Sequence, residues 1–195
     1  MKKNVYLFLF IISLSLFTTY KAYIAYSAFS KNNVPIYDGV MYERNQMRTY
    51  FKFKNNFSFK ERLNQAYYEF EGNGLNPGFN CAVILINPQW LVSDTDIIWR
   101  GFLSVFIFSL VLLNFLKYRT NTLNSICILI LFFQLPLFYH FRYGLITYIP
   151  EIPSALFLLA GYIQILVFFK TEKLITLFTS CILIMVSIMF RMNFF

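Results

Sequence analysis

Four apolar runs, Ile97–Leu116, 125–138, 154–169 and Leu174–Phe190, follow one another with only short polar breaks, and a fifth, 5–17, opens the chain behind Met1-Lys2-Lys3. A helix needs about 20 apolar residues to cross about 30 Å of hydrocarbon, and each run approaches that length. The shorter ones require helical flanks or local thinning of the bilayer. A chain of 195 residues that is 58% hydrophobic and 13% charged lies outside the soluble globular range. The reading is an all-α membrane protein with about five transmembrane helices and one large outer loop carrying membrane-surface helices. Its divisions are 1–30, a first transmembrane helix; 31–96, the outer loop; and 97–195, a four-helix transmembrane bundle.

The first run fits either a signal peptide, with Ala25-Tyr26-Ser27 as a small-x-small cleavage site, or a retained helix. Tyr20, Tyr23, Tyr26 and Phe29 continue the aromatic pattern beyond it and favour a retained anchor emerging through the interfacial belt, with Lys21 snorkelling. The formal net charge of +8 is concentrated in the connections between apolar runs. Lys2, Lys3, Lys117, Arg119, Lys170 and Lys173 share one side, opposed there only by Glu172, so the N-terminus is expected in the cytoplasm and 31–96 outside. The expected location is a bacterial inner or plasma membrane, with membrane lipid as a partner and no nucleic acid. Cys81, Cys127 and Cys181 have neither disulfide nor metal-ligand spacing and read as small packing residues.

The outer stretch 31–96 carries seven of the nine carboxylates. Ser58-Phe59-Lys60-Glu61 reads as a capping box, and Phe59, Leu63, Ala66, Tyr67 and Phe70 recur at helical spacing, which predicts a helix lying apolar face down on the membrane. The glycines of 71–80 read as a turn, and the apolar segment 81–86, halted by Asn87-Pro88, packs into the outer leaflet or against the bundle.

Asp38 sits at the turn Tyr37-Asp38-Gly39 just beyond the first helix, with Glu43 five residues on. Read singly, Asp38 is a turn residue or a cap; read with Glu43, it is a carboxylate placed for chemistry at the aqueous boundary. Asp94-Thr95-Asp96 has the look of a paired-carboxylate metal motif. Its place at a helix start favours capping, with Asp96 paired to Arg100 four residues later and Arg100 reaching lipid headgroups. No metal or other cofactor is assigned. His140 and Arg142 form a cationic pair among aromatics in the second outer connection, which also contains Glu151, and such a pair suits a lipid-linked phosphate. Pro136 marks a kink.

Pro35-Ile36-Tyr37-Asp38-Gly39 after a first helix, followed by a large outer loop and a second outer connection with His140, Arg142 and Glu151, resembles the N-terminal part of the GT-C class of integral-membrane glycosyltransferases. The resemblance implies sugar transfer from a polyprenyl-phosphate-sugar, with Asp38 and Glu43 catalytic and His140, Arg142 and Glu151 binding substrate. That class has more helices than this chain, so the resemblance also implies a truncated gene or a second membrane chain completing the bundle. The alternative from another class is a non-enzymatic multi-pass membrane subunit, or part of a polysaccharide exporter or polymerase.

Overall fold

The computed structural model describes residues 2–30, 47, 50, 51, 58–64, 85, 94–140, 144–147 and 151–190. Among these all regular structure is helical. The long elements are α1 (Lys2–Ser30), α2 (Thr95–Leu116), α3 (Thr122–Phe133), α4 (Glu151–Thr171) and α5 (Leu174–Phe190), with a 3₁₀ turn at Pro136–Tyr139 between α3 and α4. Three helices, at Asn4–Phe29, Ile97–Leu116 and Glu151–Thr171, are long and apolar enough to cross a membrane, while α3 and α5 are apolar but shorter.

The helix ends follow local rules. The Asn121 side chain accepts from the backbone N–H of Asn124 at 2.8 Å and so caps α3. Pro136 cannot continue α3, and the chain leaves the α-helix at Gln134 and re-forms as the 3₁₀ turn. At 12 residues α3 is about 18 Å long, short of the hydrocarbon thickness on its own. Pro153 lies in the first turn of α4, where a missing N–H costs nothing. The α4–α5 turn places Glu172 at φ 54°, in the left-handed region that L side chains disfavour. Replacing Glu172 with Gly is expected to raise stability by about 1 kcal/mol, read as a higher unfolding midpoint in detergent; an unchanged or lower midpoint would show that the turn carries no strain.

Packing is organised around α2, which touches α1, α3 and α4, while α5 packs chiefly on α4. The α1–α2 and α2–α3 contacts are aromatic: Phe8 meets Phe106 edge-on at 5.8 Å, and Phe108 stacks on Phe132 at 5.0 Å. The α4–α5 contact is built from small and hydroxylated residues. Ser154 and Ser187 donate to each other's backbone carbonyls at 2.9 and 2.8 Å, and Ser180 donates to the Gly161 carbonyl at 2.8 Å. A Cβ at Gly161 would lie 2.6 Å from Ile184 Cγ1, so the absence of a side chain there allows the close approach. Ser15, Thr18, Thr19, Ser104, Ser109 and Ser125 are likewise buried, while Leu9, Leu16, Phe17, Leu131, Leu166, Phe169 and Phe178 are exposed. Small polar groups buried beside an apolar core, with large apolar groups also on the outside, is the arrangement that suits hydrocarbon as the surrounding solvent.

Two features of the sequence reading change here. Cys127 and Cys181 are exposed, not packed in the core, because α3 and α5 each turn that face away from the bundle. Lys21 does not simply snorkel: its ammonium lies over the Tyr139 ring at 4.2 Å and donates to Gln134 Oε1 at 3.3 Å, tying the 3₁₀ turn to α1.

The end of the bundle that carries the candidate site

The two ends of the bundle differ in chemistry. At one end, Asn4 of α1 and Lys117 after α2 border the same cavity, and the Lys170 ammonium lies over the Tyr118 ring at 4.7 Å. This end gathers the cationic connections. At the other end α1 finishes, α2 and α4 begin, and residues 144–147 pack against Arg100 and Gly101 at the start of α2.

At this second end Asp94 stands at the N-cap position of α2, but its side chain makes no cap hydrogen bond. Its Oδ2 instead accepts from the Tyr23 hydroxyl at 3.3 Å, joining α1 to the start of α2. The capping expectation for Asp94 is therefore replaced by an interhelical bond, because Asp94 is itself in a helical conformation and its carboxylate faces α1 rather than its own N–H groups. The Asp96 side chain, expected to pair with Arg100, lies outside the described residues.

Arg100 does not reach the lipid headgroups. It is 1% exposed and donates through Nη2 to the Thr147 carbonyl. Beside it, Gly101 lies so close to the loop that a Cβ there would overlap Ile146 Cδ1. Leu145 and Ile146 are fully buried, so residues 144–147 form a plug seated on the first turns of α2. The plug is tied back to the 3₁₀ turn: the Leu145 N–H donates to the Phe138 carbonyl at 2.9 Å, and the Gly144 N–H donates to the His140 carbonyl at 2.8 Å. A Cβ on Gly144 would overlap that same His140 carbonyl, which leaves glycine as the residue that closes the turn.

His140 caps the 3₁₀ turn with an extended backbone, and its ring side is exposed at this end. Glu151 opens α4 in the first turn, where a carboxylate is favoured by the helix dipole. Asp38, Glu43 and Arg142 lie outside the described residues, so the described structure speaks only for His140 and Glu151 among the predicted site residues. Among the described residues no three His, Cys, Asp or Glu side chains come together as a metal site. Tyr23, Lys21 and Thr147 make contacts between remote segments that the sequence did not reveal. Tyr23 and Asp94 are 71 positions apart, and no local pattern links them.

The capping box is formed as expected. Ser58 donates to Glu61 Oε2 from its backbone N–H at 2.7 Å and its hydroxyl at 2.8 Å, while the Glu61 N–H donates back to Ser58 Oγ at 3.4 Å. The side-chain bond from Ser58, followed by the backbone one, holds the Glu61 carboxyl below its ordinary value of 4.5. Phe59 and Leu63, both on this short helix, are 69% and 50% exposed, leaving an apolar face with no protein cover among the described residues. A carboxyl lowered by folding stabilises the folded form above its unfolded pKa, and that contribution is lost as pH falls through the lowered value. Helicity of a 56–70 peptide bound to vesicles is therefore expected to fall below pH 4.5, and Glu61→Gln to flatten the pH profile. A profile unchanged by Glu61→Gln would remove the box from the account.

Comparison with protein-family models, with curated proteins and with solved structures gave no match to this chain.

Proposed function

We propose that the chain is a multi-pass membrane module of a glycosyltransferase that moves sugar from a polyprenyl-phosphate donor at the end of the bundle opposite the cationic connections. In this reading α3 and α5 complete five spans, the cationic end is cytoplasmic, and the protein resides in a bacterial inner or plasma membrane. The observation that carries it is the common exit of two polar connections. The segment leaving α1 at Ser30 and returning at Thr95 holds Asp38 and Glu43; the segment from the 3₁₀ turn to α4 holds His140, Arg142 and Glu151. The Tyr23–Asp94 bond and the Arg100–Thr147 bond fasten the roots of both to the same few turns of α1 and α2.

Asp38 acts as the base that takes the proton of the acceptor hydroxyl, with Glu43 as the second carboxylate near it. The acceptor oxygen then attacks the anomeric carbon while the bond to the phosphate breaks, so the configuration at that carbon inverts. His140 and Arg142 carry the developing negative charge of the departing polyprenyl phosphate, and Glu151 holds sugar hydroxyls. A second membrane chain supplies the remaining lipid-binding helices.

The test is transfer of labelled sugar from polyprenyl-phosphate-sugar to endogenous acceptor in membranes holding the chain with its genomic neighbours. Transfer that depends on the chain supports the reading. Its absence under every partner combination favours the second reading, a non-enzymatic subunit.

A further inference from the structure

At the cationic end a cavity of about 250 Å³ opens between α1 and α2. Its lining changes character with depth. Asn4 and Lys117 are exposed at the rim with Asn114 one turn further in, whereas Leu7, Ile11 and Leu113 are buried walls of the bundle. From Asn4 to Ile11 is about 10 Å along the helix axis, two turns into the apolar zone. Among the described residues no carboxylate pairs with Lys117, and the neighbouring cation Lys170 is already placed over Tyr118. Glu172, in the α4–α5 turn, is the one carboxylate in the connections at this end.

We propose that this cavity binds one anionic phospholipid. Its phosphate sits against the Lys117 ammonium, the amides of Asn4 and Asn114 donate to phosphate and glycerol oxygens, and one acyl chain lies along Phe8 and Leu110, the apolar lining residues that keep exposed surface. Three points select this occupant. The rim is cationic, which fits a net negative headgroup better than a zwitterionic one. Beyond the polar rim the lining is apolar, with Phe8 and Leu110 still partly exposed, and a free phosphate leaves that part unused. The polar-to-apolar gradient runs along the helix axis, as it does in a lipid leaflet. The site is separate from the glycosyl-transfer reading, since it lies at the opposite end of the bundle.

Native mass spectrometry of the full chain in mild detergent, offered phosphatidylglycerol, phosphatidylcholine or inorganic phosphate, tests the proposal. One phosphatidylglycerol per chain is expected to survive detergent removal, with phosphatidylcholine held more weakly. Lys117→Gln should lower phosphatidylglycerol retention about fivefold, Lys117→Arg should restore most of it, and Lys173→Gln, a cation of the same end outside the cavity, should leave it unchanged. Equal retention of the two lipids, equal loss from Lys117→Gln and Lys173→Gln, or displacement of the lipid by millimolar inorganic phosphate would each overturn it. A circular dichroism spectrum of Lys117→Gln matching the parent keeps the comparison free of folding effects, and Lys117 is exposed enough for that to be expected.

Discussion

On the glycosyl-transfer proposal, Asp38→Asn is expected to lower sugar transfer about 10²- to 10⁴-fold with the protein still present at normal level in the membrane. The amide keeps the size and turn chemistry of the carboxylate and removes only its basicity, so a residue needed for the turn alone would tolerate the change. The contrast is with Asp94, whose carboxylate is already engaged by the Tyr23 hydroxyl and serves the α1–α2 contact. Asp94→Asn keeps an acceptor for that hydroxyl, so transfer should stay within a few-fold of the parent. Glu43→Gln should fall between the two if Glu43 assists the base. The measurement is initial rate of labelled-sugar transfer in membranes, normalised to protein by immunoblot. Normal transfer by Asp38→Asn together with loss in Asp94→Asn would transfer the base assignment to the start of α2.

The second large effect is expected at Arg100. Its guanidinium is buried under residues 144–147 and donates to the Thr147 carbonyl, so Arg100→Ala removes a charge-assisted hydrogen bond and the side chain that fills the space beneath the plug. Hydrogen bonds of this kind contribute about 1.5–3 kcal/mol, and truncation leaves the carbonyl short of its partner as well. Arg100→Lys is expected to recover little, because an ammonium cannot reproduce the planar fork in a site shaped around it. The readout is the unfolding midpoint in detergent, together with protease cutting between residues 141 and 150. Both should change in Arg100→Ala, while Lys173→Ala on the exposed α4–α5 turn should change neither. An unaltered midpoint and cutting pattern in Arg100→Ala would mean that the plug is held by Leu145 and Ile146 alone. If the glycosyl-transfer reading holds, Arg100→Ala should also lower transfer through misplacement of His140, whose carbonyl closes the turn at Gly144.

Much of the helical framework is legible in the sequence because the rule that makes it is local. The apolar run Leu174–Phe190 and the helix share the same limits, and Ile97–Leu116 differs from α2 only by two residues at its start. Hydrocarbon solvent forces such a run to satisfy its own backbone, so helix is the one outcome available to it. The capping box needs only Ser58 and Glu61 at the right spacing, and Pro136 necessarily interrupts whatever helix reaches it. The gathering of Lys117, Tyr118 and Lys170 at one end follows from counting alternate connections along the chain.

What the tertiary structure alone decided is which face of each helix is covered and which remote groups meet. A helix apolar on every side has no stripe to mark its inner face, so Cys127 and Cys181 read as packing residues and yet point outward. The buried faces are chosen by close fit between small residues, as at Gly161 against Ile184 and Ser154 against Ser187, and fit is a property of pairs of surfaces. For the same reason Arg100 looked free to reach headgroups and Asp94 looked like a cap. Their partners, Thr147 and Tyr23, lie 47 and 71 positions away and become available only once the helices have packed. Local spacing determines the helices; the packed interior, which brings Arg100 against the Thr147 carbonyl and Ser154 against Ser187, determines the contacts between them.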